Sequence, residues 1–216
     1  YFNLDFGNYD FANVKISRKI PICLVLDNSG SMGGEKILEL NNNIRKFLDY
    51  IRSNPKAKRI CDLCIISFGN IVSVVNGYDS IDNITFNDLK AYGGTPLGAA
   101  VEKAEELLDL RREYYKKNSI EHYKPIMMLM SDGEPTDDYE EEAEHFSKRV
   151  KNKELKIFPV GIGYNFNLSI LKEFSPILTP KIIKDAAGFA RLFELLSSSS
   201  SNPDDDGLEK WFNDEF

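Results

Sequence analysis

The sequence IPICLVLDNSGSMGG, residues 20–34, joins an apolar run to a loop of small polar residues. The run Ile20 to Leu26 has the length and composition of a buried strand. Directly after it, Asp27, Ser29 and Ser31 alternate with other residues. Open α/β sheets place their ligands at the carboxyl ends of strands, and ligands that offer only oxygen suit a hard divalent cation. This stretch therefore predicts a loop that binds a metal ion.

The rest of the chain alternates between strand and helix patterns. Apolar residues at steps of three and four indicate a helix that ends at Asn54-Pro55, and Gly69-Asn70 indicates a hairpin turn. The predicted strands are 20–26, 59–68, 71–75, 125–130, 155–162 and 181–184, and the predicted helices are 35–53, 86–89, 96–117, 139–152, 168–174 and 186–196. This order predicts an α/β fold, Rossmann-like, in three α/β/α layers. Its central sheet is mainly parallel, with one antiparallel edge strand.

Two later loops add further candidate ligands. Thr95 lies in Gly-Gly-Thr-Pro at the predicted start of a helix, where Thr95 suits the N-cap and Pro96 the first helical position. Asp132 follows the predicted strand 125–130 within Ser-Asp-Gly. Each of these motifs alone is an ordinary turn or cap. Together, in this order and each at the boundary of an element, they indicate one shared site.

These motifs resemble the von Willebrand factor A domain and its metal-ion-dependent adhesion site. The pattern of that family is D-x-S-x-S, a later Thr, and a later Asp in a strand-end S-D-G or T-D-G. The positions that match it are Asp27, Ser29, Ser31, Thr95 and Asp132. The resemblance implies that the three hydroxyls bind Mg²⁺, or Mn²⁺ or Ca²⁺, directly, and that the two carboxylates act mainly through bound water. It covers about residues 19–197 and implies the fold of that family.

The residues flanking the motifs are most similar to those of the bacterial TerY-type subgroup. The flanking segments are Ser31–Glu35, Gly94–Gly98 and Leu129–Pro135. Proteins of that subgroup are associated with tellurium-resistance and stress gene clusters. The resemblance therefore implies a bacterial protein with a role in tellurite or stress resistance.

Three neutral hydroxyls leave much of the charge of a divalent cation uncompensated, so a carboxylate from another protein can fill the remaining position. We therefore predict a non-enzymatic, metal-dependent protein-binding domain whose partner offers an acidic side chain. Two alternatives stay open. One is a Mg²⁺-dependent phosphatase-like enzyme that uses Asp27, although Ser29 stands where such enzymes usually carry a second Asp. The other is a scaffold with a vestigial metal site.

Charge and composition argue against other classes of partner. The net charge is −7, of which the segment Asn202 to Phe216 carries −5, and no basic stripe indicates nucleic-acid binding. No apolar run reaches the roughly 18 residues of a membrane helix, and no signal-peptide pattern is visible. Three cysteines give no even disulfide framework, and Cys61 and Cys64 are expected to be buried thiols on opposite faces of a strand. These features predict a cytoplasmic protein.

The chain is predicted to have three parts: an N-terminal extension over 1–18, the domain over 19–197, and a flexible Ser-rich linker with an acidic tail over 198–216. Four apolar residues in the tail fall near helical spacing among acids, namely Leu208, Trp211, Phe212 and Phe216. They offer the alternative of a short amphipathic segment that docks on a partner or a neighbouring copy. Acidic and polar residues beside Asp132 have two interpretations, a solvated loop or a rim that selects the partner or a second cation. They are Glu134, Thr136, Asp137 and Asp138.

Overall fold

The computed structural model describes residues 18–132, 134–162, 168–182 and 207–215. Within these residues, six strands form one sheet in the order β3-β2-β1-β4-β5-β6, and only β2 and β3 pair antiparallel. The strands are β1 (Ile20–Asp27), β2 (Cys61–Phe68), β3 (Val72–Asp79), β4 (Ile126–Ser131), β5 (Lys156–Gly161) and β6 (Lys181–Ile182). The helices are α1 (Glu35–Ser53), α2 (Pro55–Ile60), α3 (Leu97–Lys117), α4 (Glu140–Lys151), α5 (Leu168–Phe174) and α6 (Gly207–Glu215).

Two hydrophobic cores lie on opposite faces of the sheet. Successive residues of β1 point to opposite faces, so that Leu24 packs in the first core and Val25 in the second. Helices α1, α2 and α6 contribute to the first core, and α3, α4 and α5 contribute to the second. Every residue of β1 and β2 is buried, as expected for parallel strands covered on both sides. The predicted three-layer α/β fold is confirmed.

The cysteines follow the same alternation. Cys61 packs in the first core and Cys64 in the second, and both are buried and free, as is Cys23. The prediction that the C-x-x-C pair consists of separate core thiols is confirmed, because residues three apart on a strand point to opposite faces.

The short helix α2 is absent from the sequence prediction. Asn54 and Pro55 end α1 as predicted, but they also begin α2. Oδ1 of Asn54 accepts hydrogen bonds from the backbone N–H groups of Lys56 and Ala57, each at 3.0 Å, and Pro55 fills the first turn, where its missing N–H is not needed. The predicted start of the second strand at residue 59 is therefore wrong, because that residue belongs to the capped helix.

The segment between β3 and α3 also differs from the prediction. Strand β3 extends to Asp79, and the helix predicted near Phe86 to Leu89 is absent. Instead, the amide of Asn41 on α1 donates to the carbonyl of Leu89 at 3.0 Å and accepts from its N–H at 2.9 Å. Because a side-chain amide can satisfy both backbone groups of one residue, this segment is held against α1 without forming a helix.

Helix α6 adds the described part of the tail to the first core. Phe212 is fully buried, and its ring meets that of Phe158 on β5 edge-on, with centroids 5.0 Å apart. At the same helix, Nζ of Lys156 lies 3.4 Å from a carboxylate oxygen of Glu209. The sequence predicts a flexible tail, with an amphipathic docking segment as the alternative. In the structure, residues 207–215 are a helix that packs on the chain's own domain.

We expect Phe212→Ala to lower the free energy of unfolding by about 3–5 kcal/mol, since the truncation leaves a cavity beside Phe158. Lys210→Ala is the matched control, because Lys210 is exposed on the same helix, and it should change stability by less than about 0.5 kcal/mol. Urea denaturation of both variants and the wild type checks this. A Phe212→Ala variant as stable as the wild type would show that α6 does not stay docked in solution.

Several predictions concern residues outside the described ranges. They include most of the N-terminal extension, the last part of the strand 181–184, the helix 186–196 and the serine linker. The domain boundaries at residues 18 and 197 stay predictions. Among the helices of the described residues, none is both long and apolar enough to span a membrane.

Candidate metal centre

Asp27, the last residue of β1, is completely buried at the carboxyl end of the sheet. Its Oδ1 accepts a hydrogen bond from the backbone N–H of Ser29 at 2.8 Å, and its Oδ2 accepts one from the hydroxyl of Ser131 at 2.5 Å. Burial raises the pKa of this carboxyl and the nearby charge of Asp132 adds to the rise, while the bonds from Ser131 and Ser29 oppose it. An ionised Asp27 is therefore held at an electrostatic cost that a cation would offset.

The loop after β1 turns back through a short 3₁₀ helix, Gly30–Met32. This turn brings the hydroxyl oxygens of Ser29 and Ser31 to 2.9 Å from each other. Ser29 is buried and Ser31 is exposed, so the two hydroxyls extend from the buried carboxylate to the surface. Both are oxygen ligands of the kind that Mg²⁺ and Ca²⁺ accept.

The loop that carries Thr95 packs directly against this turn. The backbone N–H of Gly30 donates to the carbonyl of Gly93 at 2.9 Å. Gly93 has a φ of +78°, and a Cβ at this position would lie 2.5 Å from the Cα of Asn70. Only glycine fits both the backbone conformation and the space, so the close approach of the Thr95 loop to Asn70, in the turn between β2 and β3, depends on it.

Thr95 is buried, but it is not the N-cap of α3, contrary to the prediction. The helix begins at Leu97, and its own cap residue forms no side-chain hydrogen bond to it. The carboxylate of Asp137 caps the helix from a distant loop. It accepts hydrogen bonds from the backbone N–H groups of Gly98 at 3.3 Å and Ala99 at 3.1 Å. The helix is thus capped without the Thr95 hydroxyl, and Asp137 has a structural role rather than that of a solvated rim residue.

Asp132 completes the group from the neighbouring strand. Leu26 of β1 pairs in register with Met130 of β4, so Asp27 and Asp132 lie at adjacent strand ends. Oδ2 of Asp132 accepts a hydrogen bond from Nζ of Lys36 at 3.1 Å, whereas its Oδ1 is buried without a hydrogen-bond partner among the described residues. A buried carboxylate oxygen left unpartnered is costly. The donor set therefore fits a site that is completed by a cation.

The structure brings the predicted ligands to one edge of the sheet in three adjoining loops. The predicted ligands are Asp27, Ser29, Ser31, Thr95 and Asp132. Among the described residues, no group of three or more His, Cys, Asp or Glu side chains is arranged to hold a metal. A cation here would depend on hydroxyls as much as on carboxylates, which favours a hard ion such as Mg²⁺.

Lys36 contacts the candidate site, although no sequence motif marks it. Besides its bond to Asp132, its Nζ donates to the backbone carbonyl of Ser31 at 3.2 Å. The available signal was a single lysine in the first turn of α1, five residues after Ser31. Lysine is common in such positions on exposed helices, so local pattern alone could not single it out.

Comparison with known proteins identifies relatives of the fold. The family profile described as von Willebrand factor type A domain matches residues 22–189. No curated protein sequence matches the chain.

Several solved structures share this architecture. Manganese-loaded TRAP protein from Plasmodium vivax superposes with a TM-score of 0.61 at 17% identity, over 81% of this chain and 71% of that one. Proximal thread matrix protein 1 from the mussel byssus, with a zinc-occupied MIDAS motif, gives 0.56 at 18% identity, over 83% and 45%. The ArnB paralog VWA2 from Sulfolobus acidocaldarius gives 0.54 at 21% identity, over 84% and 46%. The chain thus spans less than half the length of the last two. At these identities the likeness shows the fold alone.

Proposed function

Because this chain belongs to the von Willebrand factor type A domain family, we propose that it is a protein-interaction module whose metal site captures an acidic side chain of a partner protein. The observation that carries the proposal is the buried Oδ1 of Asp132, which lacks a partner among the described residues beside the equally buried Asp27. Two buried carboxylates at adjacent strand ends favour a bound cation, since each alone carries a desolvation cost.

The proposed ligands divide by chemistry. Ser29, Ser31 and Thr95 would offer hydroxyl oxygens directly to the ion. Asp27 and Asp132 would act mainly through bound water, and for Asp27 this role is supported by the hydrogen bonds that both of its oxygens already accept. When bound, the ion supplies a positive charge that neutral hydroxyls do not cancel. The residual charge suits a carboxylate from outside the chain.

The ion itself is proposed to be Mg²⁺, with Mn²⁺ and Ca²⁺ as alternatives. The ligand set consists only of oxygen, which hard cations prefer. Structures with the same fold have been described as manganese-loaded and as zinc-occupied at a MIDAS motif, which supports a divalent cation.

Membership of the TerY-type subgroup, a role in tellurite or stress resistance and a cytoplasmic location stay predictions from the sequence.

An enzymatic role for Asp27 is less well supported. A nucleophilic carboxylate needs an oxygen that can approach a substrate, but Asp27 is fully buried and both its oxygens accept hydrogen bonds from the chain. The family to which the chain belongs is also consistent with an interaction module.

Titration of Mn²⁺ into the wild type and into the double variant Asp27→Ala, Ser29→Ala tests the metal site. We expect the double variant to bind at least about tenfold more weakly, because it loses one direct ligand and one supporting carboxylate. The matched control is Asp79→Ala, Ser80→Ala, since this exposed pair forms a similar Asp-to-backbone bond of 2.6 Å far from the site. Isothermal titration calorimetry measures all three, and equal affinity for the wild type and the Asp27 double variant would refute the site.

Affinity capture from the native cell with and without EDTA tests the partner role. A partner that is retained in Mg²⁺ and lost in EDTA, and is also lost with the double variant, supports metal-dependent capture. Retention of the same partner in EDTA would favour the scaffold with a vestigial site instead.

A further inference from the structure

Lys36 places a positive charge of the chain's own inside the proposed metal site. Its ammonium nitrogen lies 3.1 Å from Oδ2 of Asp132 and 3.2 Å from the carbonyl oxygen of Ser31. Asp132 belongs to the loop after β4 and Ser31 to the loop after β1, so a single ammonium contacts both loops of the site. The Asp132 side chain is 3% exposed and that of Lys36 is 26% exposed, so the ion pair is largely shielded from water.

We propose that Lys36 competes with the divalent cation for the negative charge of Asp132 and thereby lowers the metal affinity of the site. The inference rests on the proposed function, because it concerns the same site. The site contributes two carboxylates, Asp27 and Asp132, and the ammonium cancels the charge of one of them. Since the attraction of a divalent cation scales with the charge it meets, losing Lys36 should strengthen metal binding.

The arrangement also predicts what Lys36 contributes when no metal is bound. Without a counter-ion, two buried carboxylates at adjacent strand ends would repel each other. Lys36 offsets this repulsion from one side, but it satisfies only Oδ2 of Asp132 and leaves Oδ1 unpartnered among the described residues. The lysine is therefore a partial substitute for the ion. It stabilises the metal-free form. A cation must either displace the ammonium from Asp132 or bind beside it against the repulsion of its positive charge.

The test is a Mn²⁺ titration by calorimetry, at low ionic strength, of the wild type, Lys36→Met and Lys46→Met. Methionine keeps much of the length of lysine and its helix propensity but carries no charge. Lys46 is the matched control, because it is exposed on the same helix α1, ten residues or about 15 Å further along the axis. We expect Lys36→Met to bind Mn²⁺ about three- to tenfold more tightly than the wild type, and Lys46→Met to match the wild type.

Thermal unfolding in EDTA provides a second readout. Lys36→Met should melt below the wild type without metal, and Mn²⁺ should raise its melting temperature by more than that of the wild type. If Lys36→Met does not fold, Lys36→Gln removes the same charge while keeping a hydrogen-bond donor, and it takes its place in both measurements.

The outcomes separate this inference from the proposed function. If the wild type binds Mn²⁺ and Lys36→Met binds equally or more weakly, competition by Lys36 is overturned and the metal site stands. If no variant binds Mn²⁺, the proposed metal site fails and the inference fails with it. Binding by Lys36→Met that exceeds that of both the wild type and Lys46→Met supports the inference.

Discussion

Replacing Asp27 by asparagine is expected to weaken metal binding strongly and, in the same protein, to stabilise the metal-free fold. The loss of affinity should reach about a hundredfold, the upper range for groups that support metal ligands. The gain in stability follows from burial, which raises the pKa of Asp27 above its ordinary value, with a further rise from the charge of Asp132. The ionised side chain is thus disfavoured in the folded state, and a neutral amide of the same shape avoids that cost.

The pH dependence has a definite sign. A carboxyl whose pKa is raised on folding contributes stability that is present below its unfolded pKa, and this contribution is lost as the pH rises through the folded pKa. In EDTA, Asp27 should therefore make the wild type relatively more stable as the pH falls from neutral toward the ordinary aspartate range. Asp27→Asn should lose this component, because its amide does not titrate.

Urea denaturation in EDTA between pH 5 and 8, together with Mn²⁺ calorimetry, measures both effects. Asp79→Asn, at an exposed aspartate, is the control for the chemical change alone. A metal-free Asp27→Asn protein less stable than the wild type would mean that the hydrogen bonds from Ser29 and Ser131 outweigh the desolvation of the charge.

The sign of the change in stability on Asp27→Asn distinguishes a site that serves a ligand from a site that serves the fold. A buried charge that destabilises the metal-free chain points to a functional site, because destabilising features of this kind cluster at such sites. At this edge of the sheet, the cost is concentrated on Asp27 and on the unpartnered oxygen of Asp132. Both features are relieved by a cation, which is why stability in EDTA and affinity for Mn²⁺ should change in opposite directions.

The sequence predicts the fold well where the pattern is local and repeated. The apolar run before Asp27 predicts β1, because a strand buried on both faces is apolar throughout. The helical period after Glu35 predicts α1, because a helix buried on one face repeats its apolar residues every three or four positions. The candidate ligands follow from the same logic, since carboxyl ends of neighbouring parallel strands meet at one edge.

The sequence fails where a partner lies far along the chain. Lys36 meets Asp132 across 96 positions, and Asp137 caps α3 from 39 positions away. Local propensity placed Thr95 at that cap, but a distant carboxylate satisfies the helix instead. The segment near Leu89 stays non-helical because Asn41, 48 positions away, bonds to its backbone. None of these contacts changes the spacing of apolar and polar residues nearby in the sequence, so local patterns cannot predict them.

A loss of stability as large as that at Phe212 is expected at Asp62 in β2, a residue that lies outside the metal-site motifs. Asp62→Ala should lower the free energy of unfolding by about 3–5 kcal/mol, the typical cost of breaking a buried ion pair by removing one partner. Oδ2 of Asp62 accepts hydrogen bonds from Nε of Arg111 at 3.1 Å, from its Nη2 at 2.5 Å and from the Tyr115 hydroxyl at 2.6 Å, while Nζ of Lys19 lies 3.2 Å from Oδ1. The substitution leaves these partners without the charge they surround.

Asp62 responds to pH in the opposite sense from Asp27. Burial alone would raise its pKa, but the hydrogen bonds from Tyr115 and Arg111 and the charge of Lys19 hold the pKa below its ordinary value. A carboxyl with a lowered pKa contributes stability above its unfolded pKa and loses it as the pH falls through the folded one. Acid unfolding of the wild type should therefore depend on Asp62, and Asp62→Ala should be less sensitive to pH below about 4.

Urea denaturation from pH 3 to 7 measures this difference, with Asp82→Ala as the control. Asp82 pairs with Lys58 at 2.8 Å on the surface, where its side chain is 54% exposed, and its loss should cost less than about 1 kcal/mol. Because Asp62 lies near the amino end of β2 and the proposed ligands at the carboxyl ends, Asp62→Ala should keep its Mn²⁺ affinity. If Asp62→Ala loses no more stability than Asp82→Ala, the ion pairs and hydrogen bonds of Asp62 only offset the desolvation of its carboxylate. A loss of Mn²⁺ affinity would mean that the two ends of the sheet are coupled.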